Sequence, residues 1–458
     1  MAKRTYLEAP LPSKEMPKGI PYIISNECAE RFSYYGMSGI LFIFMTKYLL
    51  LSDGSSDTMT ETKARYYTHL FIMGVYAFPL IGALISDIFL GKYRTIIALS
   101  IVYCLGHLAL ALNVTRFGLL VGCLLIVIGS GGIKPCVSAH VGDQFGKTNE
   151  HLLTKVFGWF YFSINVGSCI SMWLIPKVLD KYGPHAAFGI PGIFMLLATI
   201  AFWMGRHKFV HIRPGGFGFV KECFSGDGLR VMGRLVSLFA MVSMFFCLFD
   251  QTHSAWVEQA KHMNLHWLGI DWLPSQMQAV NPFLILVFIP LFTYILYPKV
   301  NRVIRLTPLR KISFGLFLTV LTFALCAWLQ MRIDGGEKPS IGWQALDYVI
   351  MTAAEVMVSI TCLEFAYTQA PRKMKSFIMS FYLLAIALGN GITVLVNGVI
   401  QDESGNSIIS EVQYYWLFTG MMLCAAIIFV PFALRYKMRN YIQEEAPAEP
   451  QEESAAEG

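Results

Sequence analysis

The sequence predicts an all-α polytopic membrane protein whose twelve transmembrane helices form two six-helix halves. Of its 458 residues, 55% are hydrophobic and only 14% are charged, whereas soluble proteins usually carry about 25% charged residues. Apolar stretches close to the roughly 20 residues that cross a bilayer recur along the whole chain. The predicted spans are 21–49, 66–90, 94–112, 117–138, 154–176, 186–206, 232–257, 280–298, 309–330, 342–366, 374–398 and 412–435.

The segments between and around the spans divide the chain into five parts. Residues 1–20 form a cytoplasmic N-terminal segment that lacks the apolar core of a cleavable signal peptide. Residues 21–206 and 232–435 form the two six-helix bundles. The basic, turn-rich segment 207–231 links them, and residues 436–458 form an acidic disordered cytoplasmic tail.

The positions of the basic residues predict the orientation. With the N-terminus inside, most of the 36 lysines and arginines fall in cytoplasmic segments, which is the bias of proteins with this topology. Both termini are therefore expected in the cytoplasm, in a protein of the cell (inner) membrane. The net charge of +6 is explained by contact with the acidic inner leaflet and needs no nucleic-acid partner.

The first span contains three ionisable residues. On a helix, Glu27, Glu30, Arg31, Tyr34 and Tyr35 share one face because they are spaced i, i+3, i+4, i+7 and i+8. A charge at membrane depth is costly unless it is paired or hydrated. One interpretation is a structural ion pair that holds the helix in the bundle. One carboxylate would suffice for that pair, so the second indicates a group that can take up a proton.

Two further charges lie at similar depth in opposite halves. Lys134 follows the run Gly129-Ser130-Gly131-Gly132 in span 4, and Glu355 lies in span 10. Both spans run in the same direction, with the two residues roughly 20–25 Å along them, so Lys134 and Glu355 are predicted to meet. Alternatively, the lysine extends to the inner surface. The glycines are expected to permit close helix packing.

A histidine and an aspartate are predicted to form an outer gate. His69 lies near the outer start of span 2, and Asp250 lies near the outer end of span 7, so protonation would open the contact. The alternatives are an interfacial His69 at the membrane surface and a local contact between Asp250 and His253. Three more polar residues are candidates for the lining, although intramembrane asparagines also serve as interhelical contacts: Tyr76, Asn165 and Asn281.

The loop after span 2 has a recognisable pattern. Gly82, Asp87, Gly91, Lys92 and Arg94 resemble the Gly-x-x-x-Asp-(x)-Gly-(basic) signature of the major facilitator superfamily. This resemblance implies a major facilitator fold, in which two pseudo-symmetric halves enclose a site between them. An ordinary loop of the positive-inside type is the alternative.

Several motifs together resemble those of the proton-dependent oligopeptide transporter (POT) family. The first is Glu27-x-x-Glu30-Arg31-Phe32-x-Tyr34-Tyr35-Gly36. The others are Gly132-Ile133-Lys134-Pro135, Phe160-Tyr161-x-x-Ile164-Asn165, Phe249-Asp250-Gln251, Asn281-Pro282 and Glu355-x-x-x-Ser359-x-Thr361-x-Leu363-Glu364-Phe365. His69 makes the chain similar to animal-type members, and the short segment 207–231 leaves no room for the two extra helices of many bacterial ones.

The resemblance implies symport of di- and tripeptides with protons by alternating access. A monomer would be driven by the proton gradient, with no cofactor or metal. Glu27, Glu30 and Arg31 would couple proton uptake to binding of the peptide carboxylate, and His69, Asp250 and Glu355 are the other proton-coupling candidates. The resemblance implies these substrate-binding residues: Arg31, Tyr34, Tyr76, Lys134, Asn165, Trp256, Asn281, Glu355 and Tyr382. Among them, Lys134 would serve the peptide carboxylate or pair with Glu355, which would receive the amino terminus.

Two residues depart from the family pattern. Ser38 stands where the family commonly has arginine, so the usual salt bridge to Asp250 lacks its cation and His69 is the expected replacement. Tyr382 stands where span 11 usually has tryptophan. Three other functions are alternatives. The first is a carrier of nitrate or another anion or a drug, and the extra carboxylates disfavour nitrate. The others are a membrane-embedded enzyme, whose common motifs are absent from the sequence, and a non-transporting sensor.

Overall fold

The chain is almost wholly helical. The computed structural model describes residues 6–10, 12–214, 216, 226–363, 365, 375–402, 404 and 406–436. The predicted acidic tail beyond residue 436, much of the linker 207–231 and Glu364 of the last motif lie outside these ranges. Within them, the strands longer than an isolated bridge are β1 (His266–Trp267) and β2 (Ile270–Asp271), which form a small antiparallel hairpin.

The helices follow the predicted order of spans. In the first part of the chain they are α1 (Ile20–Lys47), α2 (Glu61–Ala77), α3 (Pro79–Ile85), α4 (Lys92–Leu112), α5 (Arg116–Gly142) and α6 (Leu153–Met204). In the second part they are α7 (Gly226–Phe249), α8 (Ala255–Lys261), α9 (Val280–Pro290), α10 (Tyr297–Asn301), α11 (Pro308–Asp334), α12 (Gly342–Glu355), α13 (Lys375–Val399) and α14 (Glu411–Arg435).

Short helical turns of other types connect several of these helices. Their bounds are Ser86–Leu90, Leu291–Leu296 and Val356–Ile360 for the π-type turns, and Lys147–Leu152, Gly205–His207, Asp250–His253 and Pro274–Ala279 for the 3₁₀ turns. The turn at Asp250–His253 interrupts the seventh predicted span. Ser254, with φ −139° and ψ −83°, separates it from α8, so the side chains after the break take a new direction around the helix axis.

Ten helical runs in the described ranges are long and apolar enough to cross a membrane, which makes the chain an integral membrane protein. One run, Trp159–His207, contains most of two predicted spans. The helix α6 would be about 78 Å long if straight, but Gly183 breaks it with φ 78° and ψ −179°. The helix α1 coincides with the first predicted span and is the one that contains the three charged residues.

Buried apolar side chains form two large clusters. One consists of residues from α1 to α6, together with Val257 of α8. The other draws mainly on α7, α8 and α11 to α14. Tyr76 packs against both clusters, so the space beside it lies where the two cores adjoin.

Candidate functional site

A cavity of about 240 Å³, lined by both apolar and polar side chains, lies between the two clusters. Six of the predicted site residues line it: Tyr76, Asn165, Asp250, Asn281, Glu355 and Tyr382. The sequence did not single out Tyr161, His253 and Ser359 as lining residues, although Tyr161 and Ser359 belong to the quoted motifs. A small adjoining cavity of about 40 Å³ is lined by Tyr34, Ser38 and Asp250, among others.

The three charged residues on one face of α1 form a compact, buried cluster. Arg31 Nε lies 2.6 Å from Glu27 Oε1 and 3.2 Å from Glu30 Oε2, and Ser130 Oγ donates to Glu30 Oε1 at 3.1 Å. Both glutamates are 1% exposed. One guanidinium is therefore shared by two carboxylates that have almost no contact with water, and this arrangement is sensitive to the gain of a proton by either.

Lys134 is held between aromatic rings. Its Nζ lies 4.1 Å from the ring centroids of both Tyr34 and Tyr76, a cation–π geometry that stabilises a desolvated ammonium. This amine is buried and has no hydrogen-bond acceptor in the described ranges, so it does not extend to the inner surface. Close to Lys134, α3 and α5 pack tightly, because a Cβ on Gly82 would lie 2.5 Å from Gly132 Cα.

The predicted contact between Lys134 and Glu355 is not formed. Glu355 Oε2 instead accepts a hydrogen bond of 2.6 Å from Asn281 Nδ2, which also donates to Thr352. The two charges thus lie on opposite halves of the chain, each held by neutral or aromatic neighbours. Equal depth along two helices predicted their proximity, but it could not exclude closer partners around each side chain.

His69 reaches Asp250 through a third residue. His69 Nδ1 lies 2.7 Å from Asn390 Oδ1 and its Nε2 lies 2.8 Å from Ser254 Oγ, while Asn390 Nδ2 donates to Asp250 Oδ2. Since the amide nitrogen of Asn390 faces Asp250, its oxygen accepts from His69 Nδ1. His69 is fully buried, which excludes an interfacial position at the membrane surface.

Asp250 and His253 both line the cavity, but no hydrogen bond or ion pair joins them in the described ranges. His253 Nδ1 lies 2.6 Å from Gln278 Oε1, and Gln278 in turn donates to the carbonyl oxygen of Gly39. The sequence missed Asn390 as the bridging residue. A signal was present, because Asn390 is an isolated amide between two glycines in the apolar span 374–398.

An ion pair between the second and last membrane helices, α2 and α14, was missed as well. Arg65 Nη2 lies 2.7 Å from Glu411 Oε2, and Arg65 Nη1 lies 3.1 Å from Glu411 Oε1. Arg65 is fully buried, and the ring of Tyr414 lies 4.8 Å from its guanidinium carbon. The two residues directly precede predicted spans 66–90 and 412–435, so equal depth could have paired them.

Three non-covalent contacts lie at the end of the molecule where α2 and α14 begin, and we call this region the closed end. They are Arg65 with Glu411, Gln278 with Gly39, and Gln401, whose side chain donates to Thr62 at 3.3 Å. Each joins the first part of the chain to the second. The cavity is therefore bounded at this end by polar contacts that must break for the two parts to separate.

Trp256 does not line the central cavity. It is fully buried and packs against Tyr348, with 4.8 Å between ring centroids, and against Phe323. The break at Ser254 accounts for this difference, because it turns the residues of α8 away from the face on which Asp250 lies.

No metal site emerges from the part of the chain that the structure describes. Its histidine, cysteine, aspartate and glutamate side chains form no group of three or more that could hold an ion. The side chains at the centre supply ion pairs, hydrogen bonds and aromatic faces. A helical membrane protein with buried charges around such a cavity has the architecture of a carrier of polar solutes.

Comparison with known proteins identifies the family. A family model described as the POT family matches residues 93–225 and 220–417, so this chain belongs to the POT family. The motif resemblance is thereby confirmed.

This chain matches only part of the length of its curated relatives. It is 39% identical over 365 residues to peptide transporter family 1 of Drosophila melanogaster, covering 69% of this chain and 48% of the relative. It is 34% identical to solute carrier family 15 member 2 of Homo sapiens, covering 75% of this chain and 53% of the relative. The chain thus spans about half the length of the curated relatives it matches.

Solved structures are similar over nearly their whole length. An auto-inhibited POT family peptide transporter is 34% identical, with a TM-score of 0.84, covering 94% of this chain and 99% of that one. The POT family transporter PepTSo is 35% identical, also with a TM-score of 0.84, covering 92% and 98%.

Proposed function

We propose that this chain transports di- and tripeptides together with protons by alternating access. The proposal is supported by POT family membership and by relatives that are named as peptide transporters. It includes twelve spans in a major facilitator fold, with bundles 21–206 and 232–435 joined by 207–231. A monomer would act in the cell (inner) membrane with both termini in the cytoplasm, driven by the proton gradient without a cofactor.

The observation that carries the proposal is the separation of Lys134 from Glu355. Lys134 has aromatic faces but no hydrogen-bond acceptor in the described ranges, and the hydrogen bond recorded for the Glu355 carboxylate comes from an amide. A peptide of any sequence has a carboxylate at one end and an ammonium at the other. Opposite charges on the two halves suit such a zwitterion, with Lys134 or Arg31 toward its carboxylate and Glu355 toward its amino group.

The lining of the cavity suits variable side chains. Tyr35, Tyr76, Tyr161 and Tyr382 contribute aromatic surface with a polar tip, and Asn165 adds an amide. Such surfaces bind apolar and polar groups without strict geometry. Specific recognition is therefore expected at the peptide backbone and termini, while its side chains are accepted broadly.

Proton coupling follows from the cluster of Glu27, Glu30 and Arg31. With both glutamates ionised, the guanidinium is attracted to two carboxylates at once. A proton on either glutamate removes one attraction, so Arg31 becomes available to a peptide carboxylate. The reverse also holds, because a peptide carboxylate that draws Arg31 away favours protonation of the glutamate left behind.

Gating is proposed to use the contacts of the closed end. The chain from His69 through Asn390 to Asp250 and the pair Arg65–Glu411 both join the two bundles. In the proposed topology this end faces outward, so these contacts close the cavity toward the outside. Entry of a proton or a peptide from outside would therefore require these contacts to break.

The test is transport by purified protein in liposomes. Labelled dialanine should accumulate against its gradient when the outside is more acidic, and a protonophore should abolish the accumulation. Labelled nitrate under the same gradient is the control solute. Accumulation of nitrate but not of dialanine would show that the substrate is an anion and not a peptide. Accumulation of neither solute would overturn the proposal.

A further inference from the structure

A second cavity, of about 530 Å³, lies apart from the central one, at the end of the molecule where α1 and α4 begin. Its walls come from residues 6 and 8 near the N-terminus, residues 90–94 before and within α4, His140 of α5, and residues 211–214. None of these is among the predicted transport residues. The cavity is therefore separate from the residues to which the proposed function assigns roles.

The walls of this cavity are held by backbone contacts. The backbone N–H of His211 donates to the carbonyl oxygen of Leu7 at 2.7 Å, and the Tyr6 ring lies 4.2 Å from the His211 ring. Gly91 has a φ of 76°, and a Cβ there would lie 3.3 Å from the carbonyl oxygen of Ile212. The N-terminal segment and residues 211–214 are thus fixed against the start of α4.

The charges around the cavity leave a positive excess. Two of its cations are neutralised, since Lys92 pairs with Asp143 at 2.7 Å and Arg213 pairs with Glu8 at 2.6 Å. Arg94 also lines the cavity and has no carboxylate partner in the described ranges.

The start of α4 adds to this excess. This helix of 21 residues begins beside Gly91 without a side-chain cap. Its first backbone N–H groups lack intrahelical acceptors, and its dipole favours an anion at this point.

Two histidines line the cavity beside these cations. His140 is 1% exposed and its Nε2 has no hydrogen-bond partner in the described part of the chain. Burial, together with the neighbouring His207 and Arg94, holds the pKa of His211 below its ordinary value. An anion in the cavity would satisfy the uncapped helix start and offset the charge of Arg94.

The rim of the cavity is apolar. Leu90 and Ile212 line it and are 40% and 43% exposed, and the adjacent Phe89 is 62% exposed. An apolar rim beside a basic interior suits an amphiphile with a negatively charged head. Free phosphate would use the interior alone and leave the rim unexplained.

We propose that this cavity binds a phosphate-bearing group, and that the group is the headgroup of an anionic phospholipid whose acyl chains lie against Leu90 and Ile212. Arg94 and the first N–H groups of α4 would contact the phosphate. His140 and His211 would line the deeper part of the site. The lipid would hold the N-terminal segment, residues 211–214 and α4 together.

The experiment measures lipid retained by the full chain. Protein is incorporated into nanodiscs of phosphatidylcholine containing phosphatidylglycerol, released, and examined by native mass spectrometry for bound phosphatidylglycerol. Retention is compared with Arg94→Gln and Arg94→Glu, and with Arg302→Gln, an exposed arginine outside the cavity, as the matched control. Each variant is first checked for monodispersity and helical content.

The proposal expects one tightly retained phosphatidylglycerol, whose binding Arg94→Gln weakens about tenfold and Arg94→Glu weakens more, while Arg302→Gln retains it. Titration of inorganic phosphate in detergent distinguishes the sources. Phosphate binding that depends on Arg94, without retained lipid, supports an anion site but overturns the lipid assignment. Equal retention by all variants, or no binding of either probe, overturns the site itself.

Discussion

Arg65 and Glu411, which are 346 positions apart in the sequence, form a bidentate ion pair with N–O distances of 2.7 and 3.1 Å. It joins the first turns of α2 and α14 at the closed end. Because Arg65 is fully buried and its charge is offset by Glu411, loss of the carboxylate leaves a desolvated cation.

The first prediction concerns this pair. Glu411→Gln and Arg65→Gln should loosen the closed end and destabilise the protein by about 1–3 kcal/mol. Hydrogen–deuterium exchange should rise in both segments 61–68 and 411–418. Asp57→Asn, which breaks an exposed pair with Arg116, is the control, and exchange in both variants no greater than in this control would show that the pair does not hold the end closed.

The second prediction separates the two termini of the peptide. Lys134→Gln should weaken binding of dialanine at least about tenfold, since a charge-assisted hydrogen bond is lost, but should change binding of its carboxyl-amidated analogue little. Glu355→Gln should show the opposite preference, with the amino-acetylated analogue spared. Competition for labelled dialanine uptake measures both, and losses that do not depend on which terminus is blocked would contradict the assignment.

The third prediction concerns His69 and its bridge. Asn390→Leu removes the amide that joins His69 to Asp250, so it should change the pH dependence of uptake in the same direction as His69→Gln. His262→Gln, at an exposed histidine, should leave the profile unchanged. If Asn390→Leu keeps the wild-type profile while His69→Gln alters it, the histidine acts without the bridge.

The fourth prediction concerns the size of the cavity. Tyr382 lines it and touches Phe239 and Phe246 by edge-to-face ring contacts. Tyr382→Trp restores the larger ring that is usual in the family and should lower tripeptide uptake relative to dipeptide uptake. Tyr382→Phe keeps the volume and should preserve the ratio, and an equal ratio in all three proteins would show that Tyr382 does not limit substrate size.

The sequence predicted which polar residues lie close together better than it predicted their partners. The spacing of Glu27, Glu30 and Arg31 placed them on one helical face, and the structure joins all three. Depth along a helix also placed His69 and Asp250 in one region. Depth does not determine the direction around the helix axis, however, so Asn390 as their bridge could not be deduced.

The backbone break at Ser254 and the aromatic rings around Lys134 account for the other differences. Because of the break at Ser254, Trp256 packs in a hydrophobic cluster and does not line the cavity. The periodicity of the sequence does not predict such a break. Lys134 was expected to need a carboxylate, but two tyrosine rings stabilise it. Whether Lys134 meets an aromatic or an ionic partner depends on how α1, α2 and α5 pack around it, which the sequence pattern does not give.

The most direct test of proton-coupled peptide transport is peptide-driven proton entry into liposomes that enclose a pH-sensitive dye. External dialanine should acidify the lumen of liposomes with the wild-type chain. Glu30→Gln should abolish this acidification while exchange of labelled for unlabelled dialanine continues, because binding survives without the carboxylate that takes up the proton. Dialanine entry by the wild-type chain without acidification, or unchanged acidification by Glu30→Gln, would contradict the account.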